Sequence, residues 1–138
     1  MDMDKTMQSL AGRRILLAED EYLIAMELQH ELEKNGAEVV GPTASIAETL
    51  RLSGSAGPVD VAVLDIDLGG QMAYPVADAL RARNIPFIFI SGFGRQGIRS
   101  EYADAPLLDK PIVMHRLHAF LGETLGNAPR SDSKGRRQ

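Results

Sequence analysis

The chain has 138 residues, enough for one domain with tails, and with 44% hydrophobic but only 5% aromatic residues its core has to come from Leu, Ile, Val and Ala. There is no Cys, which excludes disulfides and thiolate zinc sites. No window nears the ~18 apolar residues of a membrane span and the N-terminus has no signal-peptide core, so the expected location is the cytoplasm. The net charge of −4 divides unevenly: Arg130, Lys134, Arg136 and Arg137 against Asp132 put residues 127–138 at +3 and leave −7 on the rest, an acidic body that argues against direct DNA binding.

In chain order, residues 1–12 read as a flexible N-terminal tail. Residues 14–18 form a compact apolar run that stops at Glu19-Asp20-Glu21, the pattern of a buried strand. Residues 22–35 follow helical spacing, with Ile24, Leu28 and Leu32 on one stripe and Gly36 as the stop. A second strand at 38–41 and a short helix at 45–52 lead to a small-residue turn at 53–58. The third strand, 59–64, is ended by Asp65. Residues 67–73 read as a loop with Gly69 and Gly70, and Pro75 suits the first turn of a helix running to about Arg83. A fourth strand at 86–90 is ended by Ser91-Gly92. Residues 94–103, interrupted by Gly97, predict a loop with a short mobile helix. A fifth strand at 106–108 is closed by Asp109-Lys110-Pro111. The last helix spans 113–125, with Leu117, Phe120, Leu121 and Leu125 as its core face, and residues 126–138 read as a basic disordered tail. The folded domain is therefore expected over 13–125.

Five short apolar strands alternating with helices predict an α/β fold, a doubly wound five-stranded parallel sheet with helices on both faces. Ligands in such folds sit beyond the carboxyl ends of the strands, where Glu19, Asp20, Asp65, Ser91 and Lys110 all fall. Carboxylates gathered at one sheet edge repel one another unless a cation sits among them. Mg²⁺ suits that place, since it takes a few carboxylate or carbonyl oxygens and keeps several waters. Asp20 and Asp65 are the candidate direct ligands, with Glu19 acting through water. A carboxylate beside such a metal is also a nucleophile for phosphorus. Lys110 then offers a point charge, and Ser91 a hydroxyl, to the phosphoryl oxygens. His30, His115 and His118 fall in predicted helices with no third ligand near and read as surface histidines.

With those residues placed, the chain resembles a response-regulator receiver domain over about residues 13–125. The resemblance rests on Ile15-Leu-Leu-Ala-Glu-Asp-Glu21, on Val61-Ala-Val-Leu-Asp-Ile-Asp-Leu68, on Ser91-Gly92 and on Asp109-Lys110-Pro111. It implies a flavodoxin-like sheet, and Mg²⁺ held by the Asp20 and Asp65 side chains and the backbone carbonyl of Asp67. It implies that Asp65 takes a phosphoryl group from a sensor histidine kinase or a histidine phosphotransfer protein, with Ser91 and Lys110 contacting that group. A cis Lys110–Pro111 bond belongs to the same expectation. Phe87-Ile-Phe-Ile-Ser-Gly-Phe93 and the segment from Gly69 to Val76 are similar to a receiver subgroup, often stand-alone, linked to general stress signalling. Output would then pass through a downstream protein or a phosphorelay.

One position departs from the family pattern. Most receivers carry an aromatic residue on the fifth strand three places before the lysine, and this chain has Leu107 there. The coupled movement of hydroxyl and ring lacks its ring, so the glycine-bearing segment 92–103, with Phe93 beside the hydroxyl, is the expected reporter of phosphorylation. Two other readings stand beside the receiver. Asp65-x-Asp67 after an apolar strand resembles the nucleophile loop of haloacid-dehalogenase-like phosphatases, although that loop normally ends the first strand. A pseudo-receiver, with the fold but no phosphorylation, is the second.

Overall fold

The computed structural model describes residues 10–126, so the bulk of both expected tails, at 1–9 and 127–138, lies outside the described residues. Leu10, placed in the N-terminal tail by its sequence position, is 1% exposed and packs in the core. The Gly12 N–H donates to the Gly36 carbonyl at 3.0 Å, which ties this entry segment to the end of the first helix.

The elements run β1 (Arg14–Ala18), α1 (Tyr22–Lys34), β2 (Glu38–Thr43), α2 (Ile46–Ser55), β3 (Val61–Asp65), β4 (Asp67–Leu68), β5 (Gln71–Met72), α3 (Tyr74–Ala82), β6 (Phe87–Ser91), a 3₁₀ turn (Ser100–Tyr102), β7 (Leu107–Asp109) and α4 (Met114–Gly126). β1, β2, β3, β6 and β7 form one parallel sheet in the order β2-β1-β3-β6-β7, which is the flavodoxin-like arrangement. β3 is central: its Val61 pairs with Ile15 on one side, and its Asp65 pairs with Ile90 on the other.

Alternation along the buried strands sends side chains to two separate layers. Leu16, Ala62, Leu64, Phe87 and Phe89 point to the layer completed by Val76, Ala77 and Leu80 of α3. Ile15, Leu17, Val61, Val63, Ile88 and Ile90 point the other way, onto Leu28 and Leu32 of α1 and Leu117, Leu121 and Leu125 of α4. The expected helical stripes are present, with Ala25 deeper than Ile24 in α1 and Phe120 only partly buried in α4.

Three local readings differ from the structure. The loop after Asp65 contains the antiparallel hairpin β4–β5, pairing Asp67 with Met72 and Leu68 with Gln71. Two-residue strands are too short to leave a period in the sequence. β2 extends to Thr43, beyond the expected stop at Gly41, because the register with β1 shifts between Leu16 and Ala18. Gly41 makes that shift possible. Its φ is +109°, and a Cβ there would lie 2.7 Å from the Leu17 carbonyl oxygen. Third, the region 94–103 has no α-helix, only the 3₁₀ turn at its end. Gly94 and Gly97 hold φ of +67° and +80°, which interrupts any helical run. The Lys110–Pro111 bond is cis, as expected, and so is Gly41–Pro42.

Candidate functional site

Three strand ends meet at the carboxyl edge of the sheet. β1 delivers Glu19 and Asp20, β3 ends in Asp65, and Lys110 follows β7. Carboxylate oxygens of Glu19, Asp20 and Asp65 lie within 4.8 Å of one another. Glu19 and Asp65 are each 2% exposed, whereas Asp20 faces solvent. Lys110 Nζ donates to Asp65 Oδ2 at 2.8 Å and to Glu21 Oε1 at 2.9 Å, and it stands 3.1 Å from Glu19 Oε1. Backbone groups fix the same carboxylates. The Asp67 N–H donates to Asp65 Oδ1 at 3.0 Å, the Glu21 N–H to Glu19 Oε2 at 2.9 Å, and the Gly69 N–H to Asp20 Oδ2 at 3.2 Å. Asp67 Oδ1 accepts from the Gly70 N–H at 3.1 Å, which closes the β4–β5 hairpin.

These groups border an open cleft of about 230 Å³, lined by Asp20, Glu21, Asp65, Asp67, Phe93 and Lys110 among others. Its electrostatics follow from burial. Desolvation pushes the Glu19 carboxyl up to about 7, opposed by the Glu21 N–H and reinforced by the Asp65 charge. Desolvation raises Asp65 as well, against the pull of Lys110 and of the Asp67 N–H. Burial disfavours the Lys110 charge, yet hydrogen bonds to Asp65, Glu21 and Glu19 together outweigh it and raise that pKa. One ammonium therefore serves three carboxylates, and Asp20 adds a fourth. Glu19 Oε1 is buried without an aligned hydrogen bond despite its closeness to Lys110. A surplus of hard, negatively charged oxygens with one buried oxygen unsatisfied fits a divalent cation such as Mg²⁺.

Of the residues singled out in the sequence, Glu19, Asp20, Asp65 and Lys110 are brought together, and Asp67 borders the same cleft. Ser91 is the exception. It ends β6 in register with Asp109, but its side chain is fully buried and turned into the 91–94 turn. Its Oγ donates to the Gly94 carbonyl at 3.0 Å and accepts from the Phe93 N–H at 3.0 Å. Glu21 was not singled out, although it touches Lys110 directly. Its position as third acid of Glu19-Asp20-Glu21 was the available signal.

A family model described as the response regulator receiver domain matches residues 15–121. The chain belongs to that family. Receivers are signalling proteins rather than classical enzymes, so the phosphatase reading is not favoured. This receiver is 29% identical over 114 residues to the phyllosphere-induced regulator PhyR of Methylorubrum extorquens, covering 80% of this chain and 43% of that protein. It spans less than half the length of the curated relatives it matches. Among solved structures, SdrG from Sphingomonas melonis Fr1 is 39% identical with a TM-score of 0.72, covering 85% of this chain and 98% of that one. A structure of the PhyR stress response regulator is 26% identical with a TM-score of 0.76, covering 94% of this chain and 51% of that one. No helix among the described residues is long and apolar enough to cross a membrane.

Proposed function

We propose that this receiver accepts a phosphoryl group on Asp65 from a phosphohistidine donor, a sensor histidine kinase or a histidine phosphotransfer protein, and signals by protein–protein contact or onward relay. One observation carries the reading. Asp65 ends the central strand at the floor of an open cleft, with one carboxylate oxygen held by the Asp67 N–H and the other by Lys110. Both oxygens are oriented before a donor arrives, which lowers the entropic part of the barrier. An Asp65 oxygen attacks phosphorus, the phosphorus–nitrogen bond of the donor breaks, and the electron pair leaves on the imidazole. Asp20 and Asp65 would hold Mg²⁺ with the backbone carbonyl of Asp67, and Glu19 would act through water. When bound, the ion supplies charge neutralisation for the transferring phosphoryl group.

Lys110 then pairs with a phosphoryl oxygen. Ser91 donates to another after its hydroxyl turns out of the 91–94 turn, and this release is how the segment after β6 senses the modification. The likeness to the PhyR stress response regulator favours a role in stress signalling, and we place that role in the cytoplasm, acting through a downstream protein and without direct DNA contact. Intact-mass measurement after incubation with Mg²⁺ and phosphoramidate tests the reading. The wild type should gain one phosphate and Asp65→Asn none. Undiminished labelling of the mutant would move the acceptor elsewhere, and an unlabelled wild type would make the chain a pseudo-receiver.

A further inference from the structure

The Lys110 ammonium has three N–H donors, and three carboxylates already surround it: Asp65 at 2.8 Å, Glu21 at 2.9 Å and Glu19 at 3.1 Å. A phosphoryl oxygen arriving on Asp65 would be a fourth acceptor, so one present partner has to yield. The three are not equivalent. Asp65 is the group being modified and is fixed at the end of β3. The Glu19 side chain is 0% exposed and its other oxygen is tied to the Glu21 N–H at 2.9 Å, so it cannot exchange the ammonium for bulk solvent where it stands. The Glu21 side chain is 58% exposed and can be rehydrated where it stands.

Local structure explains why Glu21 reaches Lys110 at all. It is the N-cap residue of α1, with extended φ −83° and ψ 113°, and its side chain makes no capping bond. Ser, Asp or Asn at this place would fold back onto the N–H groups of the first turn. The longer Glu side chain leaves the helix end and crosses to the loop after β7.

Accepting Asp65 as the phosphoacceptor, we infer that Glu21 is a positioning residue that, in the unmodified protein, holds the place on Lys110 that a phosphoryl oxygen takes after transfer. It competes with the incoming group for the ammonium, while Asp65 and Glu19 still hold the lysine at the cleft. Freed of this competitor, Lys110 is available to the phosphoryl group for a larger fraction of the time, and apparent affinity rises in proportion.

Titration of the full chain with beryllofluoride and Mg²⁺, followed by NMR, reads this directly. Glu21→Gln and Glu21→Ala should each tighten binding by about two- to fivefold, the range expected for one solvent-facing ion pair. Glu27→Gln, which removes an exposed acid further along α1, should leave affinity unchanged. In a Lys110→Met background, confirmed folded by circular dichroism, Glu21→Ala should have no effect on the remaining affinity. A merely structural Glu21 would weaken binding when lost. Three results would overturn the inference alone: weaker or unchanged binding in the Glu21 variants, equal tightening by Glu27→Gln, or a gain that persists without Lys110. A wild type that neither binds beryllofluoride nor takes phosphate overturns the Asp65 reading as well.

Discussion

Tyr102 packs in the same core layer as Leu107, the position where most receivers carry an aromatic residue. It is 1% exposed, stacks on Tyr74 with ring centroids 5.6 Å apart, and meets the Phe89 ring edge-on at 5.7 Å. The Arg81 guanidinium lies 4.1 Å above its ring, and its hydroxyl donates to Asp78 Oδ1 of α3. Burial, then the hydrogen bond to Asp78, pushes the phenol pKa up to about 12, so the hydroxyl remains a donor at neutral pH. Tyr102→Phe keeps the ring and removes that bond to a carboxylate, and it should cost about 1–3 kcal/mol in urea unfolding. Tyr102→Ala also empties the ring's site and should cost about 3–5 kcal/mol, as for other large aromatic truncations. Equal losses for the two would mean that the ring packing contributes nothing. Leu107 was legible in the sequence as a departure, because its distance from Lys110 is fixed along one strand. The role of Tyr102 was not, because it sits at the end of a segment whose glycines erase any periodic signal. Arg95 adds to the anchoring with hydrogen bonds to the Ala103 and Ala105 carbonyls, both at 2.8 Å. The expected reporter is thus tied down at Arg95, at Arg99, whose N–H donates to the Tyr74 hydroxyl at 3.1 Å, and at Tyr102.

At the level of elements, the joint between α1 and α4 is more polar than the helical stripes suggest. His118 Nε2 lies 2.6 Å from Glu31 Oε2, and both side chains are largely shielded, at 17% and 14% exposure. Asn35, itself buried, donates to the Glu31 carbonyl at 2.8 Å and closes the same cluster. His118 is thus a bridge between two helices rather than the surface histidine expected from its spacing. A sequence read without contacts places it on a helix but cannot say what faces it. The hydrogen bond from His118, helped by Lys34 against some desolvation, holds the Glu31 carboxyl below its ordinary 4.5. Between that value and the lower folded one, the unfolded chain binds more protons than the native chain at this site, so stability rises with pH there. The contribution is complete above about 4.5 and disappears as pH drops through the folded value. His118→Asn should therefore lower Tm near neutral pH, by no more than the ~0.2–1 kcal/mol of a solvent-screened pair. The gap to wild type should close in thermal scans as the pH falls from 4.5 through the lower folded value. A gap that stays constant through this range would assign the loss to packing alone.

Across the whole molecule, the sheet order and the two packing layers were accessible from sequence because five apolar runs alternate with amphipathic ones. Parallel strands joined by helices leave few ways to wind. The site was accessible for the same reason: strand ends in such a sheet converge on one edge, so residues 46 and 45 positions apart, Glu19, Asp65 and Lys110, become neighbours. What the strands do not encode is how their side chains divide the available donors, and so neither the Glu21 contact nor the inward turn of Ser91 could be read from them. The same convergence sets an electrostatic cost on the fold. Glu19 and Asp65 are buried beside each other, Asp20 stands at the rim, and the Lys110 ammonium is shared with Glu21. A divalent cation at these oxygens binds the native arrangement and not the unfolded chain, so it should stabilise by mass action. At a concentration tenfold above Kd the gain is about 1.4 kcal/mol, which for a domain of this size raises Tm by about 5 °C. Asp20→Ala removes a proposed direct ligand at a solvent-facing position, where the substitution itself costs the fold little. Differential scanning calorimetry over a Mg²⁺ series should show Tm rising with log concentration in the wild type and a nearly flat response in Asp20→Ala. Parallel rises in the two proteins would place the ion elsewhere on this acidic surface and remove Asp20 from the ligand set.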